Sequence, residues 1–141
     1  LALKVALLSP AMRVLLIAVG GAAGTLLRYG FSVWLTAPGR PFPVPTLVAN
    51  ALGCLILSLI AGLTLKGLSL SADVRLALSV GFCGGLTTYS SVNQEVIALF
   101  EEGRAPLALL YALATVVVCA LTGALGFWGG RGLMAVFQGG S

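Results

Sequence analysis

Four long stretches of this chain are predominantly apolar. They run from about Arg13 to Leu35, from Pro41 to Leu65, from near Ala72 to Phe100, and from Ala105 to Gly130. Each is long enough to cross a hydrocarbon core of about 30 Å, which takes about 20 helical residues. Lipid cannot satisfy the backbone groups of an open strand edge, so spans of this kind predict helices. We therefore predict an all-α integral membrane protein with four transmembrane helices.

The composition excludes most soluble functions. Only 12 of the 141 residues are charged, or 9%, whereas soluble domains carry about 25%. The eight Lys and Arg are scattered, so no basic run follows a nucleic-acid backbone. The chain has no histidine, no carboxylate pair spaced for acid–base catalysis and no phosphate-binding glycine loop. We predict a multi-pass protein of the cell membrane that contacts lipid, binds no nucleic acid and is not an enzyme.

The two ends of the chain are predicted to lie outside the membrane domain. The first apolar run begins at Met12, and the residues before it lack a clear signal-peptide cleavage site. We assign residues 1–11 to an N-terminal extension, 12–135 to a single transmembrane domain and 136–141 to a C-terminal tail.

The distribution of Lys and Arg between the two predicted sides is only weakly biased. One predicted side holds five of them and the other holds two, or three if Arg28 reaches that interface. A weak bias permits insertion in both orientations, so an antiparallel, dual-topology homodimer becomes a prediction. A single ordinary topology stays open as the alternative. The five are Lys4, Arg13, Lys66, Arg75 and Arg131, and the two are Arg40 and Arg104.

The third stretch contains poor helix-forming residues at mid-membrane. Gly84 and Gly85 are followed by the β-branched Thr87 and Thr88. We therefore predict a helix break there. The carbonyl groups and half-helix ends that a break frees at membrane depth form natural ion sites. A continuous helix with a glycine packing contact stays open.

Polar side chains mark candidate contacts for an ion. Asn50 lies midway along the second stretch, and in the fourth stretch Tyr111, Thr115, Cys119 and Thr122 share one helical face. These groups are either a polar pathway or links within and between helices. This set of side chains is rich in hydroxyl and amide donors and poor in fixed charge, which suits a small ion that must be released after binding.

Two charged residues, Arg28 and Glu95, lie well inside the apolar stretches, away from their ends. Arg28 either extends to the interface or stabilises a polar centre, and Glu95 is a proton site, a cation site or a vestibule residue.

The motifs together resemble the Fluc (CrcB-type) fluoride channels. They are Gly20-Gly21, Gly24 and Arg28-Tyr29; then Pro45 to Asn50 with Gly53; then the run GFCGGLTTYS at positions 81–90 with Glu95. The resemblance extends over roughly residues 12–131. It implies passive, selective fluoride export through an antiparallel homodimer with two pores.

The same resemblance implies roles for individual residues. A structural Na+ at the dimer centre would be held by the backbone carbonyls of Gly84 and Thr87. Arg28 and Glu95 would have structural or electrostatic roles. The fluoride pore would be lined by Asn50, Tyr89, Ser91, Val92, Tyr111 and Thr115.

The chain departs from the family pattern after the break. Two phenylalanines at i and i+3 usually offer positive ring edges to the anion. Here the first position is Tyr89 and the second is Val92, which has no ring, while Asn93 adds a donor nearby. Two other functions stay open: a small proton-coupled multidrug-type exporter that uses Glu95, and a structural subunit without transport.

Overall fold

The computed structural model describes residues 9–36, 39 and 41–139, and every regular element among them is helical. Three of these helices, α1, α2 and α6, are each long and apolar enough to cross a membrane. The segments from α3 to α5 form a fourth crossing in two halves. The all-helical prediction is confirmed, and the chain is a multi-pass membrane protein. The elements are α1 (Pro10–Trp34), α2 (Val44–Leu65), α3 (Ala72–Leu76), a π-helical stretch (Ala77–Cys83), α4 (Gly84–Leu86), α5 (Tyr89–Glu101) and α6 (Ala105–Gly139).

The outer helices reach beyond the predicted domain boundaries. Helix α1 begins at Pro10, and the Ser9 hydroxyl caps it by accepting the Met12 N–H at 3.3 Å. Helix α6 has 35 residues and continues through residues 136–139. At 1.5 Å per residue it is about 52 Å long, well beyond the hydrocarbon core. Residues 1–8 and 140–141 lie outside the described residues, so the extension and the tail stay predictions.

Two polar contacts place three parts of the chain at one end of the helix bundle. The Arg13 guanidinium donates to Asp73 at 2.7 Å, joining the start of α1 to α3. The Gln138 amide donates to the Lys66 carbonyl at 2.6 Å, joining α6 to the connection after α2. The predicted grouping of Arg13, Lys66 and the end of α6 therefore has a structural basis. Lys4 and Arg40, which entered the charge count, lie outside the described residues.

Glycines let α1 pack directly against the π-helical stretch and α4. A Cβ atom on Gly20 would lie 2.6 Å from the Ala77 carbonyl oxygen, and one on Gly81 would lie 2.9 Å from that of Ile17. Gly24 meets the Phe82 carbonyl in the same way. Small residues at four-residue spacing thus allow backbone-to-backbone contact.

Helices α2 and α6 form a second close pair. A Cβ atom on Gly130 would lie 2.6 Å from the Leu59 carbonyl oxygen, and Gly62 and Gly126 face the opposing backbone equally closely. The sequence analysis had not singled out these three glycines. The described helices thus contain two close pairs, α1 with the third crossing and α2 with α6.

The predicted helix break is present, but the glycines do not form it. Gly84 is helical, with φ −63° and ψ −36°, whereas Thr87 and Thr88 are extended, with ψ of 151° and 121°. Similar lengths of helix lie on either side, so the break is near mid-membrane. Of the two glycines, Gly85 serves packing, because it sits against Gly21 of α1.

We expect Gly24→Ala to destabilise the protein by about 1–3 kcal/mol, the usual effect of overpacking a tight contact. Its new methyl group would lie 2.8 Å from the Leu86 backbone nitrogen and even closer to the Phe82 carbonyl. Gly129→Ala is the matched control, because nothing lies within 4 Å of its Cβ position on α6. Thermal unfolding in detergent measures both, and equal midpoints for the two variants would contradict the packing described.

Candidate ion site at the helix break

Asn50 of α2 is hydrogen-bonded to both backbone groups of Thr88 at the break. Its Oδ1 accepts the Thr88 N–H at 2.7 Å, and its Nδ2 donates to the Thr88 carbonyl at 3.0 Å. The side chain is only 7% exposed. Asn50 therefore supplies, from a different helix, the partners that an unbroken helix would provide to Thr88.

The carbonyl groups around the break have unequal partners. Cys83 O accepts both the N–H and the hydroxyl of Thr87 at 3.0 Å. Gly85 O accepts the Arg28 Nε–H at 3.3 Å and the Thr25 hydroxyl at 3.4 Å. Within the described part of the chain, the carbonyl oxygens of Gly84 and Thr87 accept no hydrogen bond. Two unpaired carbonyl oxygens at membrane depth fit the donor set of an alkali cation.

The break opens onto a cavity of about 430 Å³, here called the break cavity. It brings together four of the six predicted pore residues and both predicted carbonyl ligands. No charged side chain is among its described lining residues, and the polar groups come from α2, the broken crossing and α6. The predicted residues on it are Asn50, Tyr89, Val92, Thr115, Gly84 and Thr87.

Tyr89 and Val92 occupy different environments although both border the break cavity. Tyr89, the first residue of α5, is 82% exposed, whereas Val92 is 5% exposed and packs with Leu99, Ala108 and Tyr111. Asn93 is exposed and follows Tyr89 by four residues, which is the same helical face. The donor that the sequence analysis noted in Asn93 therefore lies on the outer surface of the protomer.

Glu95 is held by two hydroxyl groups from neighbouring helices. Thr46 of α2 donates to its Oε1 at 2.6 Å, and Tyr111 of α6 donates to its Oε2 at 2.5 Å. Tyr111 is fully buried, and its ring stands edge-on to Phe42 with centroids 5.4 Å apart. The carboxyl group thus joins three helices at the end of the bundle opposite Arg13.

Ser91 and Arg28 border a different cavity. It has a volume of about 330 Å³ and also contains Thr46 and Glu95. Thr88 caps α5 through its hydroxyl oxygen, which accepts the Ser91 N–H at 3.2 Å. Ser91, Arg28 and Glu95 therefore lie outside the break cavity, around this second cavity. The buried Tyr111 is connected to them by its hydrogen bond to Glu95.

The hydroxyl stripe of α6 bonds to its own helix. Thr115 donates to the Tyr111 carbonyl at 2.9 Å, and Thr122 donates to that of Val118 at 2.9 Å. This is the back-bonding that threonines in apolar helices favour. Of the stripe, Thr115 and Cys119 border the break cavity.

Comparison with known proteins identifies the family. A sequence profile of the family described as CrcB-like protein, Camphor Resistance (CrcB), matches residues 15–127. The chain belongs to the CrcB family.

Several proteins resemble this CrcB chain over most of their lengths, and each is named fluoride-specific ion channel FluC. One from Thermus thermophilus is 45% identical over 116 residues, which is 82% of this chain and 91% of the relative. One from Sorangium cellulosum is 44% identical over 84% of this chain and 94% of its own length. One from Pseudomonas fluorescens is 42% identical over 83% and 92%.

Two residues of this CrcB site escaped the sequence analysis. Thr46 binds Glu95, and Thr25 binds the Gly85 carbonyl. Thr46 lies four residues before Asn50 on the same face of α2, a spacing that could have indicated it. Thr25 lies three residues before Arg28 and shares its acceptor.

We expect Tyr111→Phe to lower the free energy of unfolding by about 1–3 kcal/mol, because it leaves a Glu95 oxygen without its partner. The ring contact with Phe42 is retained. Tyr29→Phe is the control, since Tyr29 is 67% exposed and its hydroxyl makes no hydrogen bond in the described structure. Unfolding in mixed micelles measures both variants. If Tyr111→Phe were as stable as Tyr29→Phe, Glu95 would not depend on this hydroxyl.

Proposed function

We propose that this CrcB protein is the subunit of a passive, fluoride-selective channel and has no enzymatic role. The observation that carries the proposal is the broken third crossing, in which Asn50 pairs both backbone groups of Thr88. It borders a mainly apolar cavity that has a few polar groups and no charged side chain among its described lining residues. The names of its relatives, which share 42–45% of aligned residues, support the same conclusion.

The break presents groups suited to a small anion. Fluoride is strongly hydrated, so a pathway must replace its water with donors while binding weakly enough for release. The Nδ2 group of Asn50 has a second N–H, which makes no hydrogen bond in the described structure. The N-terminus of α5 adds the positive end of a 13-residue helix at the same place. Tyr89, Val92 and Thr115 border the cavity beside them.

The remaining predicted pore residues lie beyond this cavity, toward Glu95. Ser91 borders the second cavity, and Tyr111 reaches it through its hydrogen bond to Glu95. We propose that they continue the pathway toward that end of the bundle. Arg28, bound to the Gly85 carbonyl, acts by stabilising the broken backbone electrostatically.

We propose an antiparallel homodimer with two pores. The exposed face of α5 is polar at a depth where lipid offers no hydrogen bonds: Tyr89, Ser90, Asn93 and Gln94 are all exposed. Such a face needs a protein partner. A second copy is favoured because the weak bias in the Lys and Arg distribution permits insertion in both directions.

We also propose a structural Na+ site at the break. The carbonyl oxygens of Gly84 and Thr87 would hold the cation, since both are otherwise unpaired in the described structure. When bound, the cation would supply the electrostatic partner that these two carbonyl groups lack. Carbonyl dipoles without carboxylates are a usual donor set for alkali cations in membranes.

The proton-coupled exporter is not favoured. Its only candidate acid, Glu95, has one hydroxyl donor on each carboxyl oxygen, from Thr46 and Tyr111. These hydrogen bonds make Glu95 a link between α2, α5 and α6. The names of the relatives also point to a channel.

Purified protein in liposomes tests the proposed channel directly. We expect rapid fluoride efflux, measured with a fluoride electrode, and little efflux in a parallel chloride assay. Asn50→Asp should abolish fluoride efflux, because it replaces an amide donor with a group that bears negative charge. Thr64→Val, a polar-to-apolar change on the same helix, is the control, since Thr64 bonds only to its own helix. Undiminished efflux through Asn50→Asp would remove Asn50 from the pathway.

Variants at Tyr89 separate its ring from its hydroxyl. Tyr89→Phe keeps the positive ring edge and should retain most fluoride efflux. Tyr89→Leu should reduce efflux by about twofold to tenfold, because aromatic edge contacts are worth about 0.5–1.5 kcal/mol. Both variants should fold, since the side chain is 82% exposed in the protomer. The opposite order, with Leu more active than Phe, would contradict ring-edge recognition.

A further inference from the structure

The hydrogen bond from Thr88 to Asn50 changes which backbone carbonyl is available. In a continuous α-helix the Thr88 N–H would donate to the carbonyl four residues earlier, that of Gly84. The preceding N–H, of Thr87, still follows this rule and donates to Cys83 O at 3.0 Å. The Thr88 N–H instead donates to Asn50 Oδ1 at 2.7 Å. Gly84 O is left without a donor in the described structure as a direct consequence.

The helical residues before the break do not account for this change of partner. Gly84 has helical dihedral angles, and the last helical hydrogen bond ends at Thr87, one residue before the amide that Asn50 accepts. The second hydrogen bond, from Asn50 Nδ2 to Thr88 O, is made to the following peptide unit, on the other side of the extended Thr88. Helix α2 therefore determines the state of a carbonyl that belongs to α4.

We propose that Asn50 is the positioning residue of the cation site, because it accepts the Thr88 N–H and so keeps the Gly84 carbonyl free for the cation. The proposal rests on the Na+ site proposed above. It gives Asn50 two separable roles: its Oδ1 maintains the cation site, and its Nδ2 serves the anion. If the Oδ1 acceptor is removed, the Thr88 N–H donates to Gly84 O, its partner in a continuous helix.

The sequence offers a specific spectroscopic probe of this peptide unit. Thr87–Thr88 is the only pair of consecutive threonines in the chain. Protein labelled with threonine that carries ¹³C at the carbonyl carbon and ¹⁵N at the amide gives one correlated ¹³C–¹⁵N signal. Its carbon is the Thr87 carbonyl, a proposed ligand, and its nitrogen is the Thr88 amide that Asn50 accepts.

The experiment compares this signal in Na+ and in N-methyl-D-glucamine, together with the thermal midpoint in both salts. In the unaltered chain we expect Na+ to shift the Thr87 carbonyl resonance and to raise the midpoint. In Asn50→Leu both Na+ responses should be lost, and the Thr88 amide signal should move. Thr64→Val, on the same helix, should keep both responses.

Asn50→Asp provides the second variant, because it keeps an oxygen that accepts the Thr88 N–H while losing the amide donor. We expect it to keep the Na+ responses although its fluoride efflux is lost. Full Na+ responses in folded Asn50→Leu would overturn the positioning role, and so would their loss in folded Asn50→Asp. If the unaltered chain showed no Na+ response, the Na+ site and this role would both fail, whereas the fluoride channel would be judged by efflux alone.

Discussion

The paired hydrogen bonds between Asn50 and Thr88 are the interaction on which the rest of the site depends. A break in a membrane helix releases backbone groups where lipid offers them no partners, and each unpaired group costs several kcal/mol. Asn50 satisfies both backbone groups of one residue, Thr88, with a single amide side chain. Arg28 and Thr25 satisfy the Gly85 carbonyl from α1. The break is therefore a structure assembled from three crossings, and its remaining unpaired carbonyls are confined to one place.

Close packing of the helices makes this arrangement available. The α1 helix approaches the π-helical stretch and α4 so closely that their glycines exclude a single methyl group. The α2–α6 pair is equally close through Gly62, Gly126 and Gly130. Neighbouring backbones at such distances have little freedom to slide, so side chains such as Asn50 and Arg28 reach the break at fixed depth. Dispersion contacts thus supply the geometry that polar contacts then use.

The fold could be predicted from the sequence because the bilayer fixes the length and polarity of each crossing. The break was predictable from poor helix formers, but not which of them form it: Gly84 and Gly85 remain helical, with Gly85 packed on α1, and the extended residues are Thr87 and Thr88. The contacts of Glu95 could not be predicted either, because Thr46 is 49 residues away in the sequence and only the tertiary structure brings the two side chains together. Tyr89 and Val92 both border the break cavity, but their spacing of three residues did not indicate that Val92 is buried and Tyr89 exposed.

The π-helical winding of residues 77–83 has a consequence for the orientation of the break. A π turn contains about one residue more than an α turn, and each residue of an α-helix corresponds to about 100° of rotation. Rewinding this stretch as α-helix would therefore turn Gly84, Thr87 and Thr88 away from α2 by roughly a quarter of a turn. The winding of residues 77–83 therefore determines the direction in which these carbonyl groups face. Loss of a single residue within Ala77–Cys83 would let the stretch rewind as α-helix with the same downstream phase, whereas rewinding without that loss would misdirect the site while leaving every one of its own residues in place.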